Sequence, residues 1–244
     1  MSRGAEPLDR AFSSPQAKQR YARRLFATIA DRYDLITVLL SFGQDRRWKR
    51  RAIELAAPHA GLRALDLAAG TGDLAFSLAA RGSSVVALDV THRMLQLARV
   101  RASTFKAGTP PTFVTGDMCA LPFPDAHFDI VTTGYGLRNV PDLKVAMDEI
   151  YRVLRPGGTL VSLDFNRPEN GLVRAVYLGY LWAVGGALGW TLHRDPDTYR
   201  YIPASVRRYP GAARVAGLMR SEGFGHAEWH PVLGGLMAIH LARK

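Results

Sequence analysis

A short apolar run, residues 62–68 (LRALDLA), ends in Ala69-Gly70-Thr71-Gly72 and passes at once into a helical stretch over 73–81. This switch of period from strand to helix across a glycine turn constrains the fold more than any other feature of the chain. It recurs. Residues 84–88 (SVVAL) end at Asp89 and lead into a helix through Met94, Leu95 and Ala98, and 112–115 and 128–132 read as two further strands. A helix over 143–154 closes at Pro156-Gly157-Gly158, and 159–165 (TLVSLDF) is a fifth strand. After one more helix over 212–223, residues 228–232 and 236–242 read as two closing strands with Gly234-Gly235 at the turn. The expectation is an α/β fold with a doubly wound, mostly parallel seven-stranded sheet, whose ligands bind beyond the carboxyl ends of the strands. A chain of 244 residues can fill one such domain with a full core.

The flanks read differently. Residues 1–20 are polar and are expected to form a flexible basic lead-in. From 21 to 40 the apolar positions Leu25, Phe26, Ile29, Tyr33, Ile36, Leu39 and Leu40 recur at helical spacing, and a second helix over 46–57 stops before Pro58. The stretch 175–192 (AVYLGYLWAVGGALGWTL) holds no charge, close to the ~20 residues that cross a bilayer. Its glycines Gly179, Gly185, Gly186 and Gly189 favour a buried helical hairpin covering the site, with an interfacial helix and a true span as the alternatives. The division expected is one domain over 21–244: cap helices 21–57, a ligand-binding core 61–165, a substrate-covering insertion 166–210, and a closing helix and strands 211–244.

Composition removes several classes. With 48% hydrophobic and 22% charged residues the chain is neither disordered nor collagen-like. A single cysteine, Cys119, excludes an internal disulfide framework and a thiolate-rich zinc site, so no metal is expected and a reducing cytoplasmic setting is the default. The first thirty residues contain no uninterrupted apolar run, so no secretory leader is expected. The net charge of +11 sits in the flanks, +6 over 1–60 and +5 over 165–244, with none over 61–164. Because the arginines are scattered rather than gathered on one element, nucleic acid is disfavoured, and an anionic membrane surface or a neutral role for the charge fits better.

Gly70-Thr71-Gly72 exposes backbone N–H groups at the start of a helix, and Gly70 to Ala75 also fits the dinucleotide pattern G-x-G-x-x-A. Asp73 stands where a pyrophosphate would lie, and Asp66 adds a second carboxylate upstream, so a ligand without phosphates and with a positive centre suits the loop better. S-adenosylmethionine is such a ligand; a bare βα turn is the alternative. Asp89, seventeen residues past Gly72, can accept both ribose hydroxyls, and Asp117 of Gly116-Asp117-Met118 could hold an adenine amino group.

Several segments then resemble a known family. LDLAAGTGD (65–73), ALPFPDAHFD (120–129), GLRNVPD (136–142) and YRVLRPGG (151–158) are similar to the class I, Rossmann-like methyltransferases of menaquinone and ubiquinone biosynthesis. FATIADRYDL (26–35), GQDRRW (43–48), DTYRYIPASVRRYP (197–210) and GGLMAIH (234–240) extend the likeness over roughly residues 25–244. The resemblance implies C-methylation of a 2-polyprenyl-1,4-naphthoquinol, with Thr71, Asp89, Asp117 and Met118 touching S-adenosylmethionine and Tyr33 closing over it. Gly134 stands where the family often has Ser, leaving a backbone contact there; Asp164 stands where Glu is common. Cys119 replaces a commonly acidic residue and reads as a bystander.

A quinol ring carbon becomes nucleophilic when the adjacent hydroxyl loses its proton, so the site needs a base or a cation for the phenolate. Arg138 suits the second task, its alternative being a structural pair with Asp142; Asp164 and His240 are weaker candidates for the proton acceptor. The partners expected are a lipophilic quinol and, reversibly, the inner face of an anionic membrane, with a homodimer left open. Other readings are a benzoquinol, a small phenol or amine as acceptor, or a non-catalytic S-adenosylmethionine-binding protein.

Overall fold

The computed structural model describes Leu8 and residues 10–41 and 43–244. Seven strands, β1 (Arg63–Leu67), β2 (Ser84–Asp89), β3 (Thr112–Thr115), β4 (Phe128–Gly134), β5 (Leu154–Phe165), β6 (His226–Val232) and β7 (Met237–Arg243), form one sheet in the order β3-β2-β1-β4-β5-β7-β6. β1 to β5 run parallel, and β7 is antiparallel to both neighbours. The chain moves outward from β1 to β3 and then returns to β4 on the other side of β1. The crevice at that reversal, beyond the carboxyl ends of β1 and β4, is where an open α/β sheet takes its ligand.

The strands read as near-continuous apolar runs because both faces are covered. Leu65, Leu67, Val131 and Leu160 pack under α6 (Leu143–Val153) and α9 (Ala212–Ser221) through Met147, Ile150, Val215 and Met219. Ala64, Ile130, Val161, Leu163 and Ile239 pack under α3 (Asp45–Ala56) and α4 (Asp73–Ala79) through Trp48, Ile53, Leu74 and Leu78. α5 (His92–Ala102) supplies Met94, Leu95 and Ala98 to the interior.

Three expectations about the flanks are corrected. The helix expected from residue 21 starts earlier: α1 spans Pro15–Ile29, because Ser14 Oγ accepts the Ala17 N–H at 3.1 Å and Pro15 takes the first turn. α1 thus begins inside the stretch 1–20 expected as a flexible lead-in, and the remainder of that expectation falls largely on residues 1–7 and 9, which lie outside those described. The helical spacing over 21–40 is two helices, α1 and α2 (Tyr33–Leu40), separated by a 3-10 turn at Ala30–Arg32. The hairpin expected over 175–192 is one unbroken helix, α7 (Gly171–His193), which pairs with α8 (Asp197–Arg208). Three of its glycines, Gly185, Gly186 and Gly189, serve close approach instead of a bend, while Gly179 has open space beside it. A Cβ on Gly185 would lie 3.1 Å from the Tyr199 carbonyl oxygen, and one on Gly189 would lie 2.4 Å from that of Asp195. Nor is α7 buried: in its most apolar eighteen-residue window only 22% is covered.

Candidate active site

Three adjoining cavities lie at the carboxyl edge of the sheet. The first, about 90 Å3, is lined by Gly70, Asp89, Asp117, Met118 and Gly134 under the Gln19–Phe26 face of α1. Asp89 is held by backbone: its Oδ2 accepts the Gly70 N–H at 2.8 Å and its Oδ1 the Thr91 N–H at 2.7 Å. Burial raises its pKa against those two bonds. Asp117 accepts the Cys119 N–H at 2.9 Å and the Gln19 amide of α1 at 2.5 Å. Gly134 keeps the floor low, since a Cβ there would come within 3.2 Å of Leu74 Cδ1.

A second, smaller cavity of about 20 Å3 is lined by Asp66, Thr71, Asp73 and Lys49. Asp66 accepts the Ala75 N–H at 3.0 Å and the Thr132 hydroxyl at 2.7 Å, tying β1 to the start of α4 and to β4. Burial pushes its carboxyl up to about 7. Asp73 is partly buried, which opposes ionisation, yet the ammonium of Lys49 at 2.8 Å and the Arg101 guanidinium hold it down to about 2. Thr71 donates to Asp34 of α2 at 2.8 Å, so the glycine loop is clasped by the N-terminal cap. Gly72 lines none of the three cavities. Its φ of +92° opens α4, and a Cβ there would strike Phe76 at 2.8 Å, so what the structure shows of it is the turn.

The third cavity is large, about 610 Å3, and mostly apolar, with walls from α1, α2, α7 and α8. Arg138 is its buried cation, 5% exposed, on a 3-10 turn at Leu137–Asn139 just after β4. Its Nη1 donates to Ser205 Oγ at 2.7 Å and to Asn139 Oδ1 at 3.1 Å, and its guanidinium lies 4.8 Å from the centroid of Phe165. The Asp142 pairing weighed from sequence is not formed, because Asp142 caps α6 through the Lys144 and Val145 N–H groups. Asp164 is the partner instead, with Arg138 Nε 3.2 Å from its Oδ1.

Asp164 also accepts the Arg138 and Phe165 N–H groups and lines none of the cavities. It stands behind Arg138 and orients it. His240 is a correction: it is 1% exposed on the sheet face under α9, its Nε2 lies 3.0 Å from the Ala212 carbonyl oxygen, and it lines none of the cavities. Burial holds its pKa down to about 4, so it is a neutral core histidine away from the reacting volume.

Sequence reasoning missed Tyr135, Lys49 and Asp45. Tyr135 donates its hydroxyl to Asp45 Oδ1 at 2.5 Å, and Lys49 Nζ reaches Asp45 at 2.6 Å. The GQDRRW segment held two of the signals, Asp45 and Trp48, and the DTYRY segment held the cavity-lining Tyr199 and Tyr201. Tyr33, expected to close over the cofactor, lines all three cavities.

The sheet order and the acidic crevice define a class, the doubly wound α/β methyltransferases, and the comparisons agree. A SAM-dependent methyltransferase from Thermotoga maritima superimposes with a TM-score of 0.64 at 18% identity, covering 91% of this chain and 99% of that one, which shows the fold. The profile of the ubiE/COQ5 methyltransferase family matches residues 14–244. A demethylmenaquinone methyltransferase of Thermus thermophilus is 43% identical over 222 residues, 90% of this chain and 100% of that protein. A ubiquinone/menaquinone biosynthesis C-methyltransferase of Azotobacter vinelandii is 37% identical over 230 residues, 93% of this chain and 91% of that protein. The chain belongs to the ubiE/COQ5 methyltransferase family.

Proposed function

We propose that this enzyme methylates a ring carbon of a 2-polyprenyl-1,4-naphthoquinol, converting demethylmenaquinol to menaquinol, with S-adenosylmethionine as methyl donor. The observation that carries the reading is the large apolar cavity with a buried arginine, set directly against two small cavities lined by carboxylates. A prenylated quinol needs the first; a ligand with hydroxyls, an amine and a positive centre needs the others. The donor set fits S-adenosylmethionine: Asp89 for the ribose, Asp117 and Met118 for the adenine, and Asp66, Thr71 and the Gly70 and Gly134 backbone around the amino-acid arm. At about 90 Å3 the adenosine cavity is smaller than the ~300 Å3 at which ligand pockets begin, and Gln19 of α1 now holds the Asp117 carboxylate that the adenine amino group would take.

The bound donor supplies a methyl group already activated by its sulfonium leaving group, so holding donor and acceptor in line provides much of the rate. The chain's own contribution falls on the acceptor. Arg138 stays protonated and stabilises the phenolate oxygen that develops as the neighbouring ring carbon becomes nucleophilic. Asp164 and Ser205 fix the guanidinium so that it need not reorganise when charge appears. The apolar walls keep water from competing for that charge.

The acceptor's tail also directs the enzyme to a bilayer surface from the cytoplasmic side. At the cavity, α2 exposes Leu35 and Leu39, and α7 exposes Leu172 (76%) and Val176. Ala183, Ala187 and Trp190 continue the α7 stripe for roughly 27 Å at 1.5 Å per residue. Each basic side chain near an anionic leaflet adds about 1 kcal/mol, which supports reversible docking by the +11 chain. Deleting the gene and weighing the quinone pool tests the reaction: a naphthoquinone pool one methyl lighter is expected, and an unchanged pool would overturn it. A benzoquinone pool one methyl lighter would transfer the reaction to that ring.

A further inference from the structure

Of the residues around the site, two line all three cavities, Tyr33 and Tyr135. A sulfonium donor also has three arms: adenosyl, aminocarboxypropyl and the methyl to be transferred. We propose that the Tyr135 ring, together with Tyr33, recognises the positive charge of the donor's sulfonium at the point where the three cavities meet. On this assignment Tyr135 separates the methyl donor from the sulfide product by charge, a role distinct from that of the carboxylates that hold the two longer arms.

The placement of Tyr135 is built in. It follows Gly134 at the end of β4 with a φ of +61°, a left-handed conformation that bulky residues rarely take. Its N–H donates to the Leu163 carbonyl at 2.7 Å and its hydroxyl to Asp45 at 2.5 Å, so both ends of the residue are pinned. The ring already faces one cation, Lys49 Nζ, 5.7 Å from its centroid. That ammonium is answered by Asp45 at 2.6 Å and by Asp73 at 2.8 Å, the latter shared with the Arg101 guanidinium, so the charges beside the ring are balanced and its π face is what remains to meet a further positive centre. Tyr33 reaches the same place from α2, its Cε1 standing 3.9 Å from where a Cβ on Gly70 would be. Aromatic faces attract such cations most strongly when water is excluded, and Tyr135 is only 8% exposed.

The test is calorimetric binding of S-adenosylmethionine and of S-adenosylhomocysteine, which lacks both the methyl and the charge. The inference rests on the methyl-donor reading, and wild-type binding of the two ligands checks that reading by itself. Tyr135→Leu is expected to lose about tenfold more affinity for the methionine than for the homocysteine form, whereas Tyr135→Phe keeps the wild-type ratio. If Tyr135→Leu does not fold, Tyr33→Leu read in the same way carries the test. Equal losses for both ligands would make the rings mere walls and overturn the inference, as would no loss for either.

Discussion

The donor half and the acceptor half of the site are built on opposite plans. Asp66 lies next to the last residue of β1, Asp89 ends β2 and Asp117 follows β3, and each has its carboxylate already engaged by backbone N–H groups. The acceptor half is assembled from α1, α2, α7 and α8, elements far apart in sequence that meet through apolar side chains. The polar group proposed to work there, Arg138, comes from the turn after β4, so one sheet edge borders both halves. The contrast teaches that binding of the donor is specified locally, and that of the acceptor by tertiary assembly.

The comparison can be broken most sharply at Arg138. Arg138→Ala is expected to slow methyl transfer by at least about a hundredfold while calorimetry shows donor binding retained, because the contact matters mainly as phenolate charge develops. A variant that kept most of its turnover would reduce Arg138 to a partner of Asp164. Asp89→Ala should act on the other half. Loss of charge-assisted contacts, at about 1.5–3 kcal/mol, predicts donor affinity lower by one to two orders of magnitude. Since the same carboxylate holds Gly70 and Thr91, chemical denaturation should report a less stable fold as well.

His240 sharpens the boundary of the site. Its folded pKa of about 4 lies below the ordinary 6.5, so the unfolded chain binds the extra proton first as pH falls. Stability is therefore full above about 6.5 and is lost down to about 4, by on the order of 3 kcal/mol for this group. Asp66 runs the other way, its raised pKa withdrawing stability as pH climbs from the ordinary carboxylate range towards 7. Subtracting His240→Gln from wild type isolates the histidine. The Tm difference, wild type minus variant, should rise as pH climbs from about 4 to 6.5, opposite in sign to the Asp66 slope, and turnover at neutral pH should fall no more than stability does. A selective loss of turnover would return His240 to the chemistry.

The smallest effect expected is at the rim. Trp190→Ser with Ala187→Ser, on the α7 stripe but outside the cavity walls, should weaken flotation with anionic vesicles severalfold and leave turnover on a short-chain quinol unchanged. Release of the wild type by high salt is also expected, since screening shortens the reach of its charges to about 8 Å at physiological ionic strength. Equal flotation of variant and wild type would move the docking face elsewhere.

The same division explains what could be read in advance. The strand–helix alternation and the strand ends at Asp66, Asp89 and Asp117 are fixed by short-range patterns, and the seven strands fall within a few residues of their expected places. α7 was harder to read because its glycines carry two meanings, bend or close approach, and only Tyr199 and Asp195 decide between them. His240 and Asp164 both lie on β-strands beside the site, but which sheet face each takes and what it meets there depend on α9 and on Arg138. Tyr135 carried no signal of its own, since its importance comes from Asp45, ninety residues earlier in the chain.

The central claim is that one edge of the sheet brings a charged methyl donor and a quinol ring carbon together under Arg138. It is tested most directly by incubating the purified enzyme with methyl-labelled S-adenosylmethionine and demethylmenaquinol in anionic vesicles, and locating the label by NMR. Label on the ring carbon, dependent on Arg138, is the result expected. Label on a phenolic oxygen, or no transfer by an enzyme that binds the donor, would contradict it.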